Sequence, residues 1–461
     1  MMTISGIVTN SFTLGMLPIF AHAENYPSAY SLVIAYDGGK SCRESNLVKR
    51  ESGEFVNVPV DYNHLELGTT PIYSYFSRPF NPALPTVIFV AGGPGQASHF
   101  EGYPLEYFLE KITNGKFNLL QFDQRGLGCS QPLTEALYNS PDFYSSANTA
   151  KDMDELRKHY ALNSVSVYGV SYGTVPSTIY ASLFPKTTTA LILEGVVYDG
   201  VHYPSSITKD AAAYLWSHLN EMQRKRLFEI SKATKNDPSP LNSALIENLS
   251  NYGFYALENF LKKVGASENF ELYDLNRSFG QMQRQYSDDS DSNSYNEIDD
   301  LLILKMGMVD THMHDILFCK ELTGKDPISD TLIYVTNNGL VTAKDSNKCD
   351  RPAKDSDIYI ASKYPVKVPT TYLQGRFDPR VYYKDAIEHY NNSSVGFAQF
   401  LLFGKSGHNP AYELMTEDEV SQQQKNQFAD IMGDILKGHD VSTKIESINQ
   451  IPFTQIHYQK K

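Results

Sequence analysis

The sequence predicts an α/β fold: a doubly wound, mostly parallel sheet interrupted by an inserted, mainly helical segment. Three observations carry this. Short apolar runs alternate with helical patterns through the first half of the chain. Residues 200–365 break that alternation with apolar positions at helical spacing (Leu215, Leu219, Met222, Leu227, Ile230). The strand pattern then resumes at Pro369. The expected division is a leader over 1–23, a first core part over 24–199, a helical cap over 200–365, and a second core part with a tail over 366–461.

Taken in order, Phe12 to Phe20 is mostly apolar and Ala21-His22-Ala23 forms an A-x-A site, so cleavage before Glu24 and export are expected. The usual positive charge before the apolar stretch is missing, since the first lysine is Lys40. Early strands are expected at Phe55 to Val60 and Ile72 to Phe76. Val87-Ile88-Phe89-Val90 reads as a core strand running into Ala91-Gly92-Gly93-Pro94-Gly95, whose glycines let backbone N–H groups approach a ligand oxygen. Leu119 to Phe122 is the next strand, and Asp123 and Arg125 after it are expected to fix the following turn through an ion pair.

Val165-Ser166-Val167-Tyr168 reads as a buried strand and Thr174 to Leu183 as a helix. Between them lies Gly169-Val170-Ser171-Tyr172-Gly173, a G-x-S-x-G pattern in the strand–turn–helix setting that exposes a nucleophilic serine. A serine hydroxyl needs a base to take its proton and an acid to orient that base. Asp378 follows the apolar run Thr370 to Leu373, and His408 follows Ala398 to Phe403. Both are placed on loops at the C-terminal strand ends, where open α/β sheets build their sites. His159, His312, His314 and His389 lack that setting and read as surface or core residues. Ser287 to Asp300 is polar and acidic and reads as a loop, Glu417 to Leu436 as a helix, and 437–461 as a weakly structured tail.

These motifs resemble those of proline iminopeptidases and related serine aminopeptidases of the α/β-hydrolase class. Ala91 to Gly95 is similar to their G-G-P-G signature, and Asp123 to Ser130 to their D-x-R-G-x-G-x-S element. Tyr168 to Thr174 resembles the elbow, and Val58 to Tyr62 the V-P-L-D-Y strand, of the branch containing tripeptidyl aminopeptidases. The resemblance covers 54–200 and 365–412. It implies a triad of Ser171, Asp378 and His408, with Gly93 and Tyr172 as the oxyanion hole. Two departures stand out: Ala91 occupies the place of a common histidine, and Pro379 the place where some relatives carry an amine-binding glutamate. Glu194, at the end of the strand Ala190 to Glu194, is the expected substitute for holding a substrate α-ammonium group. The alternative is that it is a strand-end structural residue.

The four cysteines (Cys42, Cys129, Cys319, Cys349) allow three pairings. Cys319–Cys349 is favoured because both fall in the expected cap, leaving Cys42–Cys129. No spacing suggests a metal site or a cofactor. The net charge of −13 disfavours nucleic acid as a partner, and no run reaches the length of a membrane span. The expected partner is a peptide substrate, and nothing in the sequence sets an oligomeric state. An aminopeptidase removing a single residue or a tripeptide is the leading function. An esterase or lipase on small esters, and an inactive hydrolase-fold binding protein, remain as alternatives.

Overall fold

The computed structural model describes residues 39–44, 53–98, 105–198, 213, 216–233, 312–313, 316–322, 331–336, 339–344, 358–378, 380–417, 420–451 and 454–461. Its strands are β1 (Glu54–Pro59), β2 (Thr69–Phe76), β3 (Thr86–Val90), β4 (Asn118–Phe122), β5 (Val165–Val170), β6 (Thr188–Glu194), β7 (Thr331–Thr336), β8 (Gly339–Lys344), β9 (Thr370–Gly375), β10 (Ala398–Phe403) and β11 (Ile456–Lys460). Nine of them form one sheet in the order β1-β2-β4-β3-β5-β6-β9-β10-β11. From β4 to β10 the neighbours are parallel, while β1, β2 and β11 add antiparallel margins.

The central strands are apolar on both faces because both are covered. In β3, Ile88 and Val90 enter one core while Val87 and Phe89 enter the other, as the two-residue period of a strand requires. The first core holds Val175, Ile179 and Tyr180 of the helix Thr174–Leu183 and Ala150, Met153 and Leu156 of Ser146–His159. The second holds Leu109 and Ile112 of Leu105–Thr113 and Phe428, Ile431 and Met432 of Gln422–Ile435.

Three expectations are corrected. The C-terminal stretch is not a loose tail: β11 pairs antiparallel with β10, Ile456 opposite Phe403 and Lys460 opposite Gln399. Its polar composition suits an edge strand with one solvated side. The helix expected over Glu417 to Leu436 is shorter, Gln422–Ile435, and starts in a Ser421/Gln424 capping box, while a separate helix, Pro410–Thr416, precedes the expected span. Arg125 does not pair with Asp123. Its guanidinium meets Asp152 at 2.6 and 2.7 Å and the carbonyls of Val60 and Pro59 at 2.6 and 2.7 Å. Asp123 instead accepts from the N–H groups of Ser98 and Cys129 at 3.0 and 2.9 Å.

The segment between β6 and β9 includes the helix Glu221–Ala233, a π turn at Phe318–Leu322, and a hairpin of β7 and β8. Residues 1–23 and Ser287 to Asp300 lie outside the described residues. So does Cys349, while Cys319 is disulfide-bonded. Cys42 and Cys129 form a disulfide, with Cα atoms 5.9 Å apart.

Candidate active site

The strand order reverses around β3 and β5: the chain runs from β3 outward to β4 and returns to β5 on the other side. That crevice at the C-terminal strand ends is where open α/β sheets bind ligands. Read across the edge, successive strand ends carry Gly92 and Gly93 (β3), Ser171 (β5), Glu194 and Gly195 (β6), Asp378 (β9) and His408 (β10). Residues far apart in sequence are thus brought to neighbouring strand ends, which sit about 4.8 Å apart per strand.

Ser171 has φ 55, a left-handed conformation that a non-glycine residue rarely adopts. Such a residue costs on the order of 1–3 kcal/mol and persists only where its surroundings enforce it. The neighbouring glycines show how. A Cβ on Gly169 would lie 2.4 Å from Ser177 Oγ and 2.5 Å from the Gly173 carbonyl. One on Gly173 would lie 2.2 Å from the carbonyl of Val90. The turn is therefore wedged against β3 and the start of its own helix. Ser171 remains partly accessible at that start, with Tyr172 N–H in a first turn that has no intrahelical acceptor.

The β3 loop closes on the same point. A Cβ on Gly92 would lie 2.9 Å from Ser171 Cβ. Gly92 N–H donates to Gln96 Oε1 at 3.1 Å, so of the two glycines it is Gly93 whose N–H is left for a ligand oxygen. Gly93 has φ 103, and a side chain there would meet Gly95 N at 2.5 Å. The loop is tied down from below by Gln124 Nε2, which donates to the Ala91 carbonyl at 3.0 Å.

Asp378 is 3% exposed and fully engaged. Its Oδ2 accepts from His408 Nδ1 at 2.8 Å and from Gln374 Nε2 at 3.0 Å. Its Oδ1 accepts from the N–H groups of Arg380 and Val381 at 2.8 and 2.9 Å. An ionised Asp378 fixes the His408 proton on Nδ1 and leaves Nε2 as the basic nitrogen. Gln374 is itself aligned, because its Oε1 accepts from Val196 N–H at 3.0 Å. Gly195 lies against the other side of His408: a Cβ there would be 2.8 Å from Cε1.

Glu194 is placed differently from the sequence expectation. It is 1% exposed, and its carboxylate does not face the site as an open clamp. One oxygen accepts from the Tyr168 hydroxyl and the other from Ala411 N–H at 2.8 Å. Ala411 lies in the first turn of the helix that follows His408, so Glu194 caps that helix from the core. Burial pushes its carboxyl up to about 7, while Tyr168, Ala411 and nearby His408 pull the other way. A second buried acid, Glu413, accepts from Gly407 N–H at 2.8 Å, and burial holds its carboxyl well above the usual range. Two buried carboxyls thus hold the two flanks of the His408 loop. Sequence reasoning missed Glu413, whose only local signal was an acid in a helix's first turn.

Among the described residues no group of histidine, cysteine or acidic side chains is arranged to hold a metal ion, and no helix is long and apolar enough to cross a membrane. Chemically, the arrangement offers a strained serine beside a backbone N–H at a helix start, and a histidine–aspartate pair on adjacent strands.

The chain is 30% identical over 122 residues to a probable proline iminopeptidase of Leptolyngbya boryana, which covers 26% of this chain and 35% of that one. It is 30% identical over 138 residues to a probable proline iminopeptidase of Streptomyces coelicolor, covering 30% and 41%. Over 200 residues it is 25% identical to the serine protease Hip1 of Mycobacterium tuberculosis, covering 34% and 38%. The matches thus span about two fifths or less of these relatives. Among solved structures, the proline iminopeptidase of Mycobacterium smegmatis aligns over 85% of this chain and 100% of its own, at 14% identity and a TM-score of 0.45. The family model for the alpha/beta hydrolase fold matches residues 85–413, most of the chain, and the protein belongs to that family.

Proposed function

We propose that the protein is an exported serine hydrolase acting as an aminopeptidase, which releases a single residue or a tripeptide from peptide N-termini. The observation that carries the reading is Ser171 held at φ 55 on the elbow after β5, with the bonded pair of His408 and Asp378 on the same sheet edge, after β10 and β9. In this reading Ser171 Oγ attacks the scissile carbonyl carbon while its proton passes to His408 Nε2. The N–H groups of Tyr172 and Gly93 hold the oxyanion that forms. His408 then gives the proton to the leaving amine, the C–N bond breaks, and an acyl-enzyme on Ser171 remains. Water attacks that ester, with His408 again taking and returning the proton, and Ser171 is regenerated. Asp378 keeps the imidazole in the productive tautomer throughout.

The peptide assignment draws on the relatives named proline iminopeptidase and serine protease. Export draws on the A-x-A site at residues 21–23 and on the bonded cysteines. Glu194 serves the His408 loop in this reading, so the substrate ammonium group has another partner.

The test is a panel of free peptides, their N-acetylated counterparts and short-chain esters. Free peptides are expected to be cleaved from the N-terminus, with acetylation abolishing turnover. Equal cleavage of acetylated peptides, or turnover of esters alone, would replace the aminopeptidase with an endopeptidase or an esterase.

A further inference from the structure

We propose that Glu321 is a positioning residue that sets the oxyanion side of the site through Ser146 and Tyr172. The inference rests on the reading of Ser171 as nucleophile and Tyr172 N–H as an oxyanion donor. It adds a residue from the segment between β6 and β9 that touches neither the substrate nor the triad.

Glu321 lies in the π turn Phe318–Leu322 and is 6% exposed. Its Oε1 accepts from Ser146 N–H at 3.0 Å, and its Oε2 accepts from the Ser146 hydroxyl. The Ser146 hydroxyl has a single proton. Once that proton is committed to the carboxylate, its oxygen accepts from the Tyr172 hydroxyl, 2.7 Å away. The relay is therefore directional, from Tyr172 to Ser146 to Glu321. Tyr172 is fully buried, so this is how its hydroxyl is satisfied.

The burial of this carboxyl is also accounted for. Ser146 opens the 14-residue helix Ser146–His159, and its N–H is one of the donors a helix start leaves unpaired. A carboxylate there meets the positive end of the helix. The surroundings show that Glu321 arrives on a docked surface. His312 stacks on Tyr138 with ring centres 3.9 Å apart and bonds to the Tyr138 carbonyl at 2.8 Å. Lys320 reaches Asp142 at 2.6 Å, and Met313, Leu317 and Leu322 are fully buried. The segment thus seats on residues 138–146, and Glu321 is the point at which that seat reaches the residue after the nucleophile.

A side chain anchored at its tip restricts its own backbone. Removing one oxyanion donor costs about 10²–10³ in kcat, and displacing one by a fraction of an ångström costs part of that. The experiment uses Glu321→Gln, Ser146→Ala and Tyr172→Phe, with the double variant Glu321→Gln/Tyr172→Phe. Rates are expressed per folded enzyme, with melting temperatures and a Ser171→Ala control. Each single variant is expected to lose about tenfold in kcat with KM within twofold, and the double variant to lose no more than the worse single one. Singles that keep kcat within twofold, or that change KM alone, would overturn the proposal, whatever their melting temperatures do. Losses that multiply in the double variant would overturn the relay. An inactive but folded Ser171→Ala control beside unaffected Glu321 and Tyr172 variants would remove this proposal and leave the nucleophile assignment standing. An active Ser171→Ala control would remove both.

Discussion

Ser171, Glu194 and Glu413 show how single residues are recruited or displaced by their surroundings. Ser171 keeps a costly backbone conformation because Gly169 and Gly173 let two strands and a helix close on it. Glu194 is at the strand end where an ammonium ligand could be met, yet the Tyr168 hydroxyl and the Ala411 N–H hold its carboxylate inside. Its carboxyl titrates at about 7 against an ordinary 4.5, so folding favours the protonated form. The stability this contributes is complete below about pH 4.5 and is lost as pH rises through 7. Urea unfolding of the wild type and Glu194→Gln at pH 5 and pH 8 checks this. The wild type should lose more stability over that interval than the variant, and equal pH slopes would contradict it. The opposite limb belongs to His389, which burial among Tyr372, Thr178 and Tyr359 holds neutral down to about 3. Its contribution is lost as pH falls below the ordinary 6.5 toward that value.

At the scale of elements, the strands and the elbow were legible because their signals are local. Ala398 to Phe403 is read from sequence with the same bounds the structure shows, and the strand–turn–helix context of Ser171 is contained in 165–183. Contacts between elements were not legible. Arg125 and Asp123 are two residues apart and invite an ion pair, yet Arg125 reaches the helix Ser146–His159 to meet Asp152. Tyr62 also donates to Asp152, at 2.7 Å. Similarly, β11 carries too little apolar periodicity to announce itself, and only β10 beside it makes it a strand. The partner of Glu321 is 175 positions away, beyond any local pattern. The Arg125–Asp152 pair has a measurable consequence. Both side chains are essentially inaccessible, so Asp152→Asn strands a buried guanidinium and should cost about 3–5 kcal/mol. Chemical denaturation measures it, and a loss below about 1 kcal/mol would show that Pro59 and Val60 carbonyls suffice for Arg125.

At the scale of the whole molecule, one sheet edge collects the candidate chemistry while the two cores below it fix the strand ends. The bonded cysteines fit a protein that matures in an oxidising compartment. Denatured, unreduced protein taken from the exported fraction should give no alkylatable thiol, and four such thiols would contradict both the bridges and the export reading. The central claim is that this edge makes Ser171 a nucleophile activated by His408 and Asp378. Single losses in such a unit reach about 10⁶-fold for the serine or the histidine, and about 10⁴-fold for Asp378→Asn, which disturbs the imidazole tautomer. The most direct measurement is labelling of the folded protein with a fluorophosphonate, followed by mass mapping of the modified peptide. One adduct on Ser171 is expected, absent in Ser171→Ala and formed far more slowly in His408→Ala. An adduct on another serine, or none on folded wild-type protein, would contradict the account.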